Sequence, residues 1–445
     1  MRDDFEMNAS APIRHTQAES DLLARFEAAN PGLPGSVAVS ALREAALGLI
    51  RDRGLPHRRV EEYKYSDLRA FMKSAAPLTG AADFSAAKAA LESAETFGDL
   101  DRYRVVVANG AFQAELSDVD ALQAEGVTVT SFAEALGGED SSLMLSAPKT
   151  GPQDGVVALN TAFVQGGAVI AVKAGAEVSK PVELVQVAAG TGAQAVRNAV
   201  TLGEGASLRL LETFVGDTGE GELNTVFDYT LGDRASLATT RLMTGKSEAA
   251  RLFTSIATLG AEAEFKSLGF IAGPRFTRNQ QFVNFTGENS EAKIYGVTMA
   301  GGEALADQTL IVDHAVPHCN SREFFKTVLD GRARGVYQGR INVAPHAQKT
   351  DGEMMTQALL LSEDAEMANK PELEIFADDV ICAHGATSGQ IDEDLLFYLR
   401  ARGIPEAEAR TLLVLAFLSE AIEEYGEDDV TEGLEQRVRD WLASH

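Results

Sequence analysis

Cysteine and histidine are scarce in this 445-residue chain, two and seven respectively. Both cysteines, Cys319 and Cys382, lie between positions 314 and 384 together with His314, His318, His346 and His384. Thiolate, imidazole and carboxylate are the side chains that bind transition metals and iron–sulfur species. The sharpest piece of the stretch is Cys382-Ala383-His384-Gly385-Ala386-Thr387. Residues two apart on a strand point to one face, so a thiol at 382 and an imidazole at 384 can reach one site together. His314, His318 and Cys319 form a second group within the polar run Asp313 to Ser321, and His346 stands between the two groups. Against this, a single histidine is ordinarily solvated or packed, and a cysteine in a β core behaves as a small hydrophobe. No quartet with zinc-ribbon or ferredoxin spacing is present, so no stably bound metal is implied.

Other chemistries find no support. There is no Walker-type phosphate loop, no nucleophile elbow and no His-Glu-x-x-His. The pairs Gly166-Gly167 and Gly301-Gly302 are isolated and read as turns. A β-solenoid lyase or hydrolase would need a carboxylate cluster in a cleft, and acidic pairs identify nothing in a chain of net charge -27. That charge repels phosphate backbones and anionic lipid, so nucleic-acid and membrane partners are not expected. Two distant cysteines make no disulfide framework and fit a reducing compartment. The first residues, Met1-Arg2-Asp3-Asp4-Phe5, carry no apolar signal core, and the longest apolar run is Leu412 to Leu418, short of the roughly 20 residues of a span. A cytoplasmic protein is expected.

The elements that must carry these residues fall into three parts. Residues 1–155 read as mostly helical, with breaks at Asn30-Pro31-Gly32 and Gly54, a charged segment Arg58 to Leu68 holding Tyr63 and Tyr65, and a β run from Tyr103 to Ala108 ended by Asn109-Gly110. That charged segment is either a recognition surface or a helix start capped by Ser66 or Asp67. Composition shifts across 137–155, which is rich in Gly, Ser, Asp and Pro. From 156 a phrase recurs roughly every 28 residues, opening at Gly175, Gly203, Gly232, Gly260 and Gly287, the mark of a solenoid. Between phrases the chain alternates apolar and polar residues at period 2, as in Ser207 to Phe214, so each coil holds two or three short strands. A left-handed hexapeptide helix needs a strict six-residue repeat, which is absent. The expectation is a right-handed parallel β-helix over 156–389, with the phrase returning at Gly331 and Ser362, and Asp313 to Ser321 inserted into the pattern. Residues 390–445 read as a small helical domain, its first helix capped by Asp392 and stopped by Gly403, its second starting at Pro405 and apolar nearly all round.

At this point the residues resemble a known family. Leu329-Asp330-Gly331-Arg332-Ala333-Arg334-Gly335, Gln348-Lys349-Thr350-Asp351, Lys370-Pro371-Glu372-Leu373-Glu374-Ile375 and Cys382-Ala383-His384-Gly385-Ala386-Thr387 look like the SufD family of the SUF iron–sulfur cluster assembly system. Glu61-Glu62-Tyr63-Lys64-Tyr65 is similar to the family's N-terminal Glu-Glu-Trp-Lys-Tyr motif, with Tyr63 where Trp is usual. The sister SufB carries a Glu-containing variant at the Cys-x-His place, which favours SufD. The resemblance implies a non-enzymatic scaffold that meets SufB through the β-helix and docks the SufC ATPase on the C-terminal helices. It implies that His384, with Cys382 beside it, faces SufB, where iron or a nascent cluster is held transiently, and that the isolated chain holds no stable cofactor and can pair with itself. An independent metal-binding β-helix protein, or a polysaccharide lyase or hydrolase, is the alternative.

Overall fold

A computed structural model describes residues 14–92, 97–98, 100–138, 145, 154–245 and 247–444. Residues 1–13, and most of the 137–155 stretch in which the composition shifts, lie outside the described residues. In chain order the helices are α1 (Gln17–Ala29), α2 (Val37–Arg53), α3 (Leu68–Phe71), α4 (Phe84–Glu92), α5 (Val119–Ala124), α6 (Phe132–Ala135), α7 (Gly155–Phe163), α8 (Glu393–Ala401), α9 (Glu406–Tyr425) and α10 (Asp428–Ala443). The strands are β1 (Tyr103–Ala108), β2 (Ala111–Phe112), β3 (Val127–Ser131), β4 (Ala168–Val172), β5 (Val182–Ala188), β6 (Gln194–Leu202), β7 (Ser207–Gly216), β8 (Leu223–Leu231), β9 (Ser236–Thr244) and β10 (Ala250–Leu259). They continue as β11 (Glu264–Ala272), β12 (Phe276–Phe285), β13 (Glu291–Ala300), β14 (Leu305–His314), β15 (Asn320–Leu329), β16 (Arg334–Val343), β17 (Asp351–Leu360), β18 (Glu366–Ile375) and β19 (Ile381–Gly389).

From β4 onward consecutive strands alternate between two sheets. Odd strands form a ten-stranded sheet running β19-β17-β15-β13-β11-β9-β7-β5-β1-β2, and even strands a nine-stranded sheet running β18 to β4 and then β3. Pairing along each stack is parallel except at the β1–β2 and β3–β4 steps, which are antiparallel. The result is a parallel β-solenoid of about eight coils with two strands per coil. Both sheets reach back before residue 156, since β1 pairs with β5 and β3 with β4.

The register stacks inward residue on inward residue. One inward column of the odd sheet runs Leu208, Leu237, Phe265, Ala292, Ser321, Gly352, Cys382. Its apolar members belong to the continuous core that fills the lumen. Period-2 alternation puts every second side chain there, and parallel stacking repeats the choice coil after coil.

The recurring phrase is the corner between an even strand and the next odd one. A left-handed residue occupies each corner: Gly205, Arg234, Glu262 and Asn289. A small buried residue follows each time: Ala206, Ala235, Ala263 and Ser290. Corner amides bond to the next corner's carbonyl, as Gly205 N–H to Asp233 O and Arg234 N–H to Ala261 O. The phrases at Gly331 and Ser362 belong instead to the opposite corner, between odd and even strands, where Ala304, Ala333 and Ala365 are the small residues.

Helices cover the two sheets from opposite sides. α1, α2 and α7 pack with Ala250, Leu252 and Phe276 of the even sheet, while α9 and α10 pack on Leu242, Leu268, Phe270 and Val297 of the odd sheet. Asp392 caps α8 by accepting from the Asp394 and Leu395 amides, and left-handed Gly426 ends α9. The apolar run in α9 is only partly covered: Val414 and Leu418 are buried but Leu412 is 41% exposed.

Candidate functional site

β19 and β18 are the last strands of their sheets. Each has a neighbour on one side only, so the final coil presents unpaired backbone edges and an open lumen. In register, Cys382 lies opposite Gly352 and His384 opposite Met354. Gly352 and Met354 are buried, Met354 within the lumenal core. Cys382 and His384 therefore face the lumen at its mouth, on one face as their spacing requires. Cys382 is half-buried against the core, and burial pushes its thiol up, with the Gly352 amide partly opposing. His384 has no coil above it and is exposed. The glycine after it has a packing reason: a Cβ on Gly385 would meet Met355 Cε at 2.6 Å. Large apolar side chains stand exposed on the rim, Phe376 66%, Ile381 65% and Ile375 38%, beside the carboxylates of Glu374 and Asp379.

The remaining sequence candidates do not converge on this mouth. His314 ends β14 with its ring stacked on Phe285 at 4.5 Å and Nε2 3.1 Å from Ser321 Oγ. Burial lowers it to about 4, so it is a neutral core imidazole. His318 is exposed and left-handed, at the corner position held by Gly205 and Arg234 in earlier coils. Its amide bonds to Gln348 O just as theirs bond onward. Cys319 is fully buried and takes the small-residue slot of Ala206, Ala235, Ala263 and Ser290, its thiol donating to Gly287 O at 3.4 Å. The run Asp313 to Ser321 is thus the repeat's own corner, which corrects the reading of it as an insertion. His346 is exposed in the next such corner. Among the described residues no group of three or more His, Cys, Asp and Glu is placed to hold a metal ion. Cys382 and His384 alone supply two donors of different softness, fewer than a closed site needs.

One lumenal group escaped the sequence reading. Glu323 lies in register between Ile294 and Met354, in the column that ends at His384. Only alignment of one coil on the next exposes it, because a carboxylate stands where the preceding coil has isoleucine. It is 2% exposed, and both carboxyl oxygens lack a hydrogen-bond partner. Burial raises its carboxyl to about 8, with Ser321 and Arg322 opposing only in part.

The N-terminal motif is anchored to the last coils. Lys370 of β18 donates to Glu61 at 2.6 Å, and Gln338 of β16 to the Glu62 carbonyl at 3.0 Å. Tyr63 is 2% exposed, under the Arg278 guanidinium at 4.0 Å, and its hydroxyl donates to Asp154 at 2.7 Å. Asp67 caps α3 by accepting from the Ala70 amide. The motif is a packed joint, with Asp67 as the cap expected of a helix start.

A parallel solenoid with helices on both flanks defines the architectural class, and its last coil leaves two donor side chains at an open end. Family models match nearly the whole of it. Residues 185–417 match the SufBD core domain of the SUF iron–sulfur cluster assembly system, and 23–184 match the SufBD protein N-terminal region. The chain belongs to the SufBD family, and within it to the SufD branch. It is 30% identical over 396 residues to the iron–sulfur cluster assembly protein SufD of Escherichia coli, covering 86% of this chain and 88% of that one. It is 28% identical over 435 residues to an iron–sulfur cluster assembly SufBD family protein of Synechocystis, 93% of each. Protein ABCI7 of Arabidopsis chloroplasts matches over 248 residues at 30%. The chain has a role in iron–sulfur cluster assembly. No helix among the described residues is long and apolar enough to cross a membrane.

Proposed function

We propose that the chain is a non-enzymatic, cytoplasmic scaffold subunit that joins a SufB chain end to end through its open solenoid and docks the SufC ATPase on α8–α10. The observation that carries the reading is the mouth: Cys382 and His384 face the lumen of a final coil whose edges are unpaired and whose rim exposes large apolar side chains. Two donors are half of a metal site, and a partner's donors would complete it for iron or a nascent cluster held only during assembly. A lone thiol that burial keeps protonated does not retain metal well, which fits a chain without a stable cofactor. The docking face is supported by α8, where Phe397 is 72%, Tyr398 53% and Leu395 52% exposed.

The test is His384→Ala, assayed by maturation of iron–sulfur enzymes in cells, with complex formation measured separately. Maturation should fall at least tenfold while SufB and SufC still co-purify. Full maturation with H384A refutes the site.

A further inference from the structure

We propose that Glu323 is the built-in counter-charge of the mouth: a carboxyl sealed inside the lumen that ionises when a metal cation is seated between Cys382 and a partner. The proposal rests on the reading above. Its geometry is independent of that reading.

Glu323 and His384 share a column with Met354 between them, so two strand spacings, about 10 Å, separate the acid from the mouth. Neither oxygen has a close hydrogen-bond partner, and the Ser321 hydroxyl and Arg322 beside it offset its burial only in part. The groups around it leave it isolated. Ile294 of β13 and Met354 of β17 carry no charge. From β14, His314 is turned to Ser321, and Arg322 on its own strand is committed to Asp351. From β16 comes Tyr337, whose hydroxyl is equally buried and unpartnered. Its ring packs on Phe325 at 4.7 Å. Gly339 makes room for this layer: a Cβ there would meet the Tyr337 hydroxyl at 2.4 Å and Met354 Sδ at 2.7 Å.

A buried orphan acid costs stability and is the kind of group that accumulates at functional sites. The chemistry it offers is charge compensation. With the end closed by a partner, a cation at the mouth loses water and needs negative charge. The Glu323 O–H bond breaks, the electron pair stays on the carboxylate, and the proton leaves through the mouth. Nothing is oxidised or reduced. At about 10 Å in a protein interior, one added positive charge favours ionisation by about tenfold.

The charge can be delivered without metal. In the full-length chain, Cys382 is capped by a methanethiosulfonate carrying a trimethylammonium group, or by a neutral hydroxyethyl one. Methanesulfinate leaves as the mixed disulfide forms, and buried Cys319 serves as the unreacted control. Infrared spectra, with the band assigned through E323Q, should show a protonated Glu323 carbonyl at pH 7 that is lost at a pH about one unit lower with the cationic cap than with the neutral one. A carboxyl already ionised at pH 7, or one indifferent to the cationic cap, overturns the proposal. In cells, E323Q should cut maturation severalfold with complex formation intact. Normal maturation with E323Q beside a null H384A overturns this inference and leaves the site standing. Normal maturation in both brings down the site and the inference together.

Discussion

At the scale of single residues, the lumen of the last coils separates groups that build from groups that cost. Cys319 and His318 build: one fills a corner slot otherwise given to alanine or serine, the other takes its left-handed turn. Glu323 costs. Its carboxyl is raised to about 8 in the fold against 4.5 as the ordinary value. An acid raised by folding leaves stability intact below the unfolded value and drains it as pH climbs towards the folded one. Each unit of separation is worth about 1.4 kcal/mol, so the loss across pH 4.5 to 8 is on the order of a few kcal/mol. Glu323→Gln keeps the shape and removes the titration. The stability of E323Q relative to wild type should therefore rise through that window and level off above pH 8. Urea unfolding at pH 5, 6.5 and 8.5 measures it, and a difference that does not change with pH would mean that the acid is solvated.

At the scale of elements, the N-terminal motif and the solenoid are one packed unit. Tyr63 ties three pieces together, since the Asp154 carboxylate that receives its hydroxyl also caps α7 through the Val156 and Val157 amides, and Arg278 of β12 lies over its ring. Removing the hydroxyl in Tyr63→Phe should cost about 1 kcal/mol, and Tyr63→Ala about 3–5 kcal/mol through the void it leaves. Urea unfolding decides the matter: unchanged stability in Y63F together with lost partner binding would restore the recognition-surface reading.

Much at this scale was legible in the sequence. Alternation and turn-forming corners are local properties, so the solenoid and the helix cap at Asp392 could be read directly. Which corner a phrase belongs to could not, because both corners use a turn followed by a small residue, as Gly203 to Ala206 and Asp330 to Ala333 do. For the same reason His318 and Cys319 passed for an insertion. Inward placement of charge was hidden as well. Arg241 is buried against Glu212 and Asn279, and Glu323 is buried without a hydrogen-bond partner. A carboxylate in an alternating strand reads as a solvent-facing residue until the register with the next coil is known. The pair Cys382 and His384 was visible by spacing, and the extent of the repeat placed it near the end of the solenoid; that both side chains face the lumen belongs to the register.

At the scale of the molecule, the C-terminal helices and the open end of the solenoid are managed differently. The C-terminal helices are held to the odd sheet by apolar packing and by ion pairs from outward cations: Lys266 to Glu427 at 2.8 Å, Arg209 to Asp429, and Lys326 to Glu420. The Lys266 and Arg209 pairs are partly exposed and contribute little each, while the Lys326 ammonium is buried beneath α9, so the apolar seam sets most of the attachment and the charges set its direction. The open end of the solenoid has no such cover. Unpaired parallel edges with apolar side chains exposed on the rim are a template for another chain, and a net charge of -27 opposes indiscriminate sticking at long range. Short-range apolar contact at the rim should then win over screened repulsion when two such ends meet, since the Debye length at physiological salt is only about 8 Å. The lone chain is accordingly expected to dimerise end to end at micromolar concentration, and more strongly as salt is raised. Placing a charge on the rim with Ile381→Lys or Phe376→Lys should yield monomers whose thermal unfolding matches wild type, because both side chains are already exposed. Sedimentation velocity across a salt series distinguishes the cases: dimers that survive both substitutions would move the contact to another face, and monomers throughout would mean that the bare edges alone do not hold two copies together.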